Sequence, residues 1–363
     1  MRHAETAARI AHVESVIPDV SRTPDEGCLA TFWRQASIGT SYVRCAIPAR
    51  WLPAQMIGFE MSDLKWTGDE ETGHMVMPRQ RGAAIWQFLG DDVRGRVALA
   101  QQEQGVRTLM EVDDNYLHSP GKWYPWAKTH EEAMASRGTT VGHSHEQHRH
   151  LAGLVDGIIV TTEFLADRYA DFNDNVYVCP NSVDPNDWDW ERPEPDGILR
   201  IGFAGAPTHI FDYALVKKAL KWAQRQDGVE VYLMGFHANG FTGTHMDWTD
   251  SISEYQHQLG ILDVGLCPVV SQNWIKGKSD LKALEYAMAG VLPVVSRTIP
   301  YKPWLDRDYP YVAQTEEDWM RVVQDLVRNR DKIAGAAAEA KEYVENERVI
   351  YKSIDRWREA INA

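Results

Sequence analysis

From about Cys28 onward, short apolar runs alternate with segments of helical period; the alternation breaks once and then restarts. That order of signals belongs to parallel α/β architecture, because two parallel strands must be joined by a crossover and the crossover is normally a helix. In the first half, Ala83–Phe88 (AAIWQF) reads as a buried strand, 91–104 as a helix, Val106–Val112 (VRTLMEV) as the next strand and Gly157–Thr161 (GIIVT) as a third. Thr162 is placed to cap a helix over Glu163–Ala170, its hydroxyl taking a free amide of the first turn, and Val176–Cys179 (VYVC) closes the half. Pro180–Pro185 (PNSVDP) then interrupts every period, and a Trp/Asp/Pro-rich stretch runs to about Pro195. The pattern resumes with strand Leu199–Phe203, helix Phe211–Arg225, strands Val229–Met234 and Leu262–Pro268, helix Ser279–Ala289 and strand Leu292–Ser296. An Ala/Glu/Arg-rich tail, Glu316–Ile361, reads as two helices.

At 363 residues the chain exceeds one ordinary domain. The compositional break sets an N-terminal α/β domain over 1–185, a second over 196–345 and a terminal helical piece over 346–363. No window approaches eighteen uninterrupted apolar residues, so no membrane span is expected. Residues 1–17 carry Arg2, Glu5, Arg9 and Glu14 among their alanines and lack the apolar stretch of a secretory signal. Cys28, Cys45, Cys179 and Cys267 show neither metal-ligand nor disulfide spacing, and read as small buried hydrophobes of a reducing compartment; a cytoplasmic location is expected. The formal charge of −14 weighs against a nucleic-acid acceptor without forbidding a local basic groove.

Two α/β domains facing each other would open a cleft at the carboxyl ends of both sets of strands, and polar residues cluster on the corresponding loops. The richest cluster is 273–290, NWIKGKSDLKALEYAMAG. Ser279 stands where an N-cap belongs, with Lys276 and Lys278 just before it. Unpaired amides, a positive helix end and two ammonium groups together suit a diphosphate. Glu285, about two turns on, is placed to accept hydrogen bonds from a ribose diol. The same residues equally describe an ordinary amphipathic helix, with Leu281, Leu284 and Met288 inward and Lys282 and Glu285 toward solvent. The second cluster, Gly202–His209 (GFAGAPTH), is a glycine-containing turn after a strand, where Gly205 lets backbone approach a phosphate and Thr208 and His209 add donors; a structural turn is the alternative. A dinucleotide fingerprint needs an acid closing the second strand, where this chain has Met234–Gly235–Phe236, so a dehydrogenase is disfavoured.

The third cluster, Asp113–Asp114–Asn115 through His118, follows the strand VRTLMEV. Acids there are placed to orient an attacking hydroxyl or take its proton, and Asp114 is the favoured one; a turn-forming Asp pair is the alternative. The fourth, His143, His145, His148 and His150, lacks the spacing of a zinc protease and reads as a polar helix, so no metal is expected. Trp123 and Trp126 offer faces on which a sugar could stack.

The run LDVGLCPVVSQNWIKGKSDLKALEYAMAGVLPVVS resembles the donor-binding region of retaining, family 4-like GT-B glycosyltransferases. DGIIVTTEFLADRYAD, VYVCPNSVDP and LRIGFAGAPTH look like the family's last N-domain unit, its inter-domain connection and the opening of its C-domain. The likeness covers about 83–300, is vague over the first eighty residues, and is nearest to the stand-alone enzymes of bacteria and their phages. It implies two facing Rossmann-like domains with the C-terminal helices crossing back to the first. It also implies transfer of a hexose from a UDP- or GDP-linked donor to an unidentified acceptor (protein, glycan, small molecule or modified DNA), with retention and without cofactor or metal. Glu285 corresponds to the glutamate that holds the donor ribose. Lys276, Lys278, Ser279 and Lys282 fall around the phosphates, with Gly205, Thr208 and His209 on the facing loop. Gly39, within Ser37–Ser41, matches a glycine loop that approaches the donor. Two positions depart from the pattern: Gly277 stands where the family has another glutamate, and Asp113–Asp114 where many members have histidine. Adjacent acids also evoke the metal-binding pair of the GT-A fold, which would leave the second α/β half unexplained. The alternatives are a nucleotide-sugar epimerase of the same fold and a catalytically inactive nucleotide-sugar-binding protein.

Overall fold

The computed structural model of the chain describes residues 28–34, 38–58, 65–67, 74–76, 81–87, 92–117, 141–206, 209–249, 251–271, 273 and 275–363. They form two compact units. One comprises the described residues among Met1–Leu117, Gly138–Pro180 and Ser353–Ala363, and the other Asn181–Lys352.

The first unit is built on a six-stranded sheet of order β2-β1-β5-β6-β7-β8. Its strands are β1 (Ala30–Arg34), β2 (Ala54–Gly58), β5 (Ala83–Gln87), β6 (Thr108–Val112), β7 (Gly157–Val160) and β8 (Val176–Val178). All pairings are parallel. A separate antiparallel pair, β3 (Lys65–Thr67) and β4 (His74–Val76), completes its strands. Helices α1 (Asp92–Glu103), α2 (Val141–Ala152) and α3 (Glu163–Tyr169) supply crossovers. The Thr162 hydroxyl accepts the Leu165 amide at the start of α3, the cap that the sequence predicts. Trp33 and Trp86 sit opposite one another on β1 and β5, and their rings stack at 4.7 Å. A helical segment over 38–51 carries Arg44, which is 1% exposed and meets the fully buried Glu111 of β6 at 2.6 Å. The Arg44 guanidinium also donates to the Cys179 carbonyl at 2.8 Å and lies 4.8 Å from the Trp357 ring.

The second unit is a sheet of order β11-β10-β9-β12-β13-β14, again parallel throughout. Its strands are β9 (Leu199–Ala204), β10 (Val229–Met234), β11 (Thr244–Met246), β12 (Val264–Cys267), β13 (Leu292–Ser296) and β14 (Val312–Ala313). The central strands β9, β12 and β13 are covered on both faces and are near-continuous apolar runs. Alternate strand residues (Ile201, Phe203, Leu266, Val294) join α4 (Ile210–Ala223) and α7 (Glu316–Arg328) in one core. Ala204, Cys267 and Val295 join α6 (Leu281–Met288) and α8 (Ile333–Glu347) in the other. A Cβ on Gly265 would lie 2.5 Å from the Tyr286 ring, so glycine there lets α6 seat against β12. The Tyr286 hydroxyl then accepts the Ala204 amide at the end of β9, which sets the rotation of α6 over the sheet.

The tail contains three helices, α7, α8 and α9 (Ile350–Asn362), where two are expected. A Thr315–Asp318 capping box starts α7, and the backbone leaves helical geometry at Asn329 and Arg348. Arg348 is held by both carboxylate oxygens of Asp280, 68 residues earlier, and Val349 pairs with Val183. Long-range partners make that break, so helical period in the tail does not announce it. Among the described residues, no helix is long and apolar enough to cross a membrane. Cys45, Cys179 and Cys267 are buried free thiols, Cys45 in the helical segment over 38–51; Cys28 is half-buried.

Candidate functional site

In the second unit the strand order reverses between β9 and β12, and in open parallel sheets ligands bind beyond the carboxyl ends of the strands at such a point. Four segments meet there. Gly205 and Ala206 leave β9, His209 precedes α4, the chain after β12 runs through the turn Ile275–Gly277, and α6 follows.

A Cβ on Gly205 would come within 3.1 Å of the His209 ring, so glycine leaves that imidazole its place. His209 Nδ1 meets Asp212 Oδ2 at 2.7 Å, and the buried Asp212 accepts the Val270 amide on its other oxygen at 2.8 Å. Asp212 thus ties the loop after β9 to the loop after β12. Burial first, and then the Lys282 ammonium, push His209 down to about 4. The ring is therefore neutral near pH 7, and bonding to Asp212 puts its proton on Nδ1. It becomes a phosphate donor through Nε2 only when an anion draws a second proton onto it, which qualifies the expected donor role.

Lys282 and Glu285 do not face solvent. The Lys282 ammonium lies 4.6 Å from the Phe203 ring at the end of β9, and burial lowers its pKa. Glu285 is half-buried and accepts the Tyr255 hydroxyl, from α5 (Ile252–Gly260), at 3.0 Å. Burial raises its carboxyl to about 7, partly offset by Tyr255 and Lys282. The apolar side of α6 (Ala283, Leu284, Tyr286, Ala287, Met288) wraps more than half the helix, so Lys282 and Glu285 are turned toward the strand ends.

Ser279 is not the N-cap. The helix begins at Leu281 with Asp280 in the capping position, and the Asp280 carboxylate does not cap: it binds Arg348 at 2.6 and 2.9 Å and accepts from Trp304 Nε1 at 3.0 Å. That carboxylate is matched by Arg348, and the first turn itself, Leu281–Leu284, carries no acid to compete with a bound anion. Ser279 Oγ accepts from Asn181 Nδ2 at 2.6 Å and from the Leu281 amide at 3.4 Å, which leaves its own proton to donate. Lys276 and Lys278 are half-buried beside it, and Gly277 is buried in the turn. Thr208 lies outside the described residues.

Three members of this constellation carry no sequence signal of their own: Asp212, Tyr255 and Trp248. Gly235 follows β10 at φ +88°, and a Cβ there would sit 2.4 Å from the Trp248 ring and 2.6 Å from the Gly205 carbonyl. Trp248 is 50% exposed, and its ring is 5.4 Å from that of Tyr255. An exposed aromatic face therefore stands one residue removed from Glu285.

In the first unit, Asp113 Oδ1 accepts the Tyr116 hydroxyl at 2.7 Å, and Asp114 Oδ1 accepts the Asn115 amide at 2.8 Å. The Asp114 carbonyl takes the Tyr116 amide, so the acids sit in a turn after β6, both half-buried. Two residues earlier, burial raises Glu111 to about 7 against the lowering by Arg44, and Asp113 raises it further. His148 is fully buried, with Nε2 2.6 Å from the Tyr169 hydroxyl, so the histidine-bearing helix turns one face into the core. His145 is half-buried and His150 exposed; among the described residues no cluster suits a metal ion. Gly39 is exposed, with nothing within 4 Å of an added Cβ. His118, Trp123 and Trp126 lie outside the described residues, as does the side chain of His143.

No family model and no curated protein matches the sequence. Solved structures do. A point mutant of S. aureus TarM, in complex with Fondaparinux, alpha-GlcNAc-glycerol and UDP, is similar at 13% identity and a TM-score of 0.55 over 77% of this chain. The fold is GT-B. Anabaena HepE in complex with UDP matches at 10% identity and TM-score 0.51, over 76% of this chain and 78% of that one. Sucrose-phosphate synthase from Thermosynechococcus elongatus matches at 9% and 0.51, over 76% and 72%. The match covers 55% of TarM, so this chain spans about half the length of that GT-B protein. At these identities the likeness concerns the fold.

Proposed function

We propose that this GT-B protein is a glycosyltransferase that takes a hexose-type sugar from a nucleoside-diphosphate donor. One observation carries the reading. Lys278, Ser279, Lys282 and His209 gather at the start of α6, whose first turn carries no acid, while Glu285, positioned by Tyr255, stands about one turn along. Cations and amides bind a diphosphate there, and the carboxylate accepts the ribose hydroxyls. Trp248 provides a stacking face for the base. Two of the similar structures, TarM and HepE, contain UDP, which supports the nucleotide part of the reading.

In such a reaction the leaving diphosphate is stabilised by fixed positive groups, so transfer proceeds without a metal. The retaining course follows from the sequence resemblance, and Asp114 orients the acceptor hydroxyl. Gly277, where the resembled family has a glutamate, favours one second reading, a protein that binds the nucleotide sugar without transferring it. Calorimetry with UDP and GDP tests the binding site; absence of binding by both sinks the proposal. Donor turnover with and without a panel of acceptors then separates a transferase from a donor-only epimerase and from an inert binder.

A further inference from the structure

At the carboxyl ends of β12 and β13 the second unit contains a cavity of about 300 Å³. That is at the lower end of small-molecule pockets, roughly 300–1,000 Å³. Lys276, Arg297 and Lys302 line it, with Ser271, Ile275 and Thr298. Lys302 is paired with Asp306 one turn on, but Lys276 and Arg297 have no carboxylate partner among the described residues. Thr298 Oγ1 is buried and has no hydrogen-bond partner among the described residues. In a chain of net charge −14, two uncompensated cations and an unsatisfied hydroxyl line one hollow.

Its place relative to the nucleotide site says what enters it. Glu285 lies midway along α6, Ser279 just before the helix, and Lys276 in the turn before that, so the cavity adjoins the end of the binding stretch opposite the ribose carboxylate. A nucleotide sugar with its ribose at Glu285 and its diphosphate at Lys278–Lys282 must carry its sugar toward that end. A neutral hexose would leave both cations without a counter-charge. A carboxylate accepts a guanidinium through two parallel hydrogen bonds and takes further bonds from an ammonium and a hydroxyl.

We infer that the cavity holds the carboxylate of an acidic sugar, so that the donor is a nucleoside-diphosphate uronic acid. The inference rests on the nucleotide-sugar reading and adds the class of sugar. Calorimetry on the full chain compares UDP, UDP-glucose with UDP-glucuronic acid, and UDP-galactose with UDP-galacturonic acid, with the guanosine pair GDP-mannose and GDP-mannuronic acid where GDP is the nucleotide bound. At least one acid should bind on the order of tenfold tighter than its neutral counterpart. Arg297→Gln, at an exposed position, should erase that preference, with affinity for the free nucleotide reporting that the site is folded. Equal affinities within every pair, or a preference that survives Arg297→Gln, overturn the inference while leaving the nucleotide site standing. Failure of every nucleotide to bind overturns both. A sugar phosphate that binds the UDP-loaded protein through Arg297, in place of any preference for an acidic donor, assigns the cavity to the acceptor and overturns it too.

Discussion

Glu285→Gln should make this protein more stable and a poorer nucleotide binder, in a way that depends on pH. Burial raises the Glu285 carboxyl from 4.5 to about 7, so the environment disfavours its charged form by on the order of 3 kcal/mol. The folded state holds a proton that the unfolded chain has lost between those values. The contribution of Glu285 is therefore fully present below pH 4.5 and is lost as pH rises through 7. Glutamine has no such loss and still accepts the Tyr255 hydroxyl, so Glu285→Gln should be more stable than wild type at pH 8 by about 1–3 kcal/mol and near-equal at pH 4.5. Binding runs the other way. A ribose diol donates to the ionised carboxylate, so wild-type affinity for the nucleotide should fall about tenfold per pH unit below 7, with about half a proton released per binding event at pH 7. The variant should bind more weakly at pH 8 by roughly 1.5–3 kcal/mol, with no pH dependence from this group. Calorimetry in buffers of different ionisation enthalpy measures the proton, and denaturation at pH 8 and pH 4.5 the stability. A wild-type affinity that is flat between pH 5.5 and 8, or a pH dependence that persists in Glu285→Gln, refutes the reasoning.

Trp248→Ala should weaken binding of the nucleotide by about 1–3 kcal/mol, the range for base–aromatic stacking, and leave the discrimination between acidic and neutral sugars unchanged; unaltered affinity by titration removes Trp248 from the site. Asp114→Asn should lower turnover on the order of 10²-fold with donor affinity within a few-fold, whereas normal turnover in both Asp114→Asn and Asp113→Asn takes that turn out of the mechanism. If the proposed site is right, turnover should survive EDTA, because cations at the start of α6 would neutralise the diphosphate; abolition by EDTA with recovery on manganese contradicts this. Arg44→Met should destabilise the first unit by about 3–5 kcal/mol, because it strands the buried Glu111 carboxylate. The loss should shrink below pH 7 as Glu111 takes up a proton, and an equal loss at pH 5 and pH 8 in denaturant titrations would count against it.

Local pattern determined the parallel α/β class of both units and their central strands. VRTLMEV, GIIVT, LRIGF and VEVYLM are short, mostly apolar runs rich in β-branched residues, which read as strands of a covered sheet, and the helical segments between them impose parallel order. The edge strands β11 and β14 escaped because three and two residues carry no period, and β1 because an irregular helical turn rather than a periodic helix follows it. Local pattern also placed Gly205, His209, Lys278, Ser279, Lys282 and Glu285 on loops and helix starts after strands. It did not decide which way they point. Lys282 and Glu285 face the strand ends because Gly265 admits Tyr286 and so sets the rotation of α6. Asp280 rather than Ser279 stands at the start of α6, and it does not cap the helix because Arg348, 68 residues on, draws its carboxylate away. Tyr255 on Glu285, Asp212 bridging two loops and Trp248 over Gly235 are contacts between segments 13 to 58 residues apart. Periodicity records what a residue shares with its near neighbours in the chain; contacts at such separations exist only once the sheet has brought the carboxyl ends of its strands together.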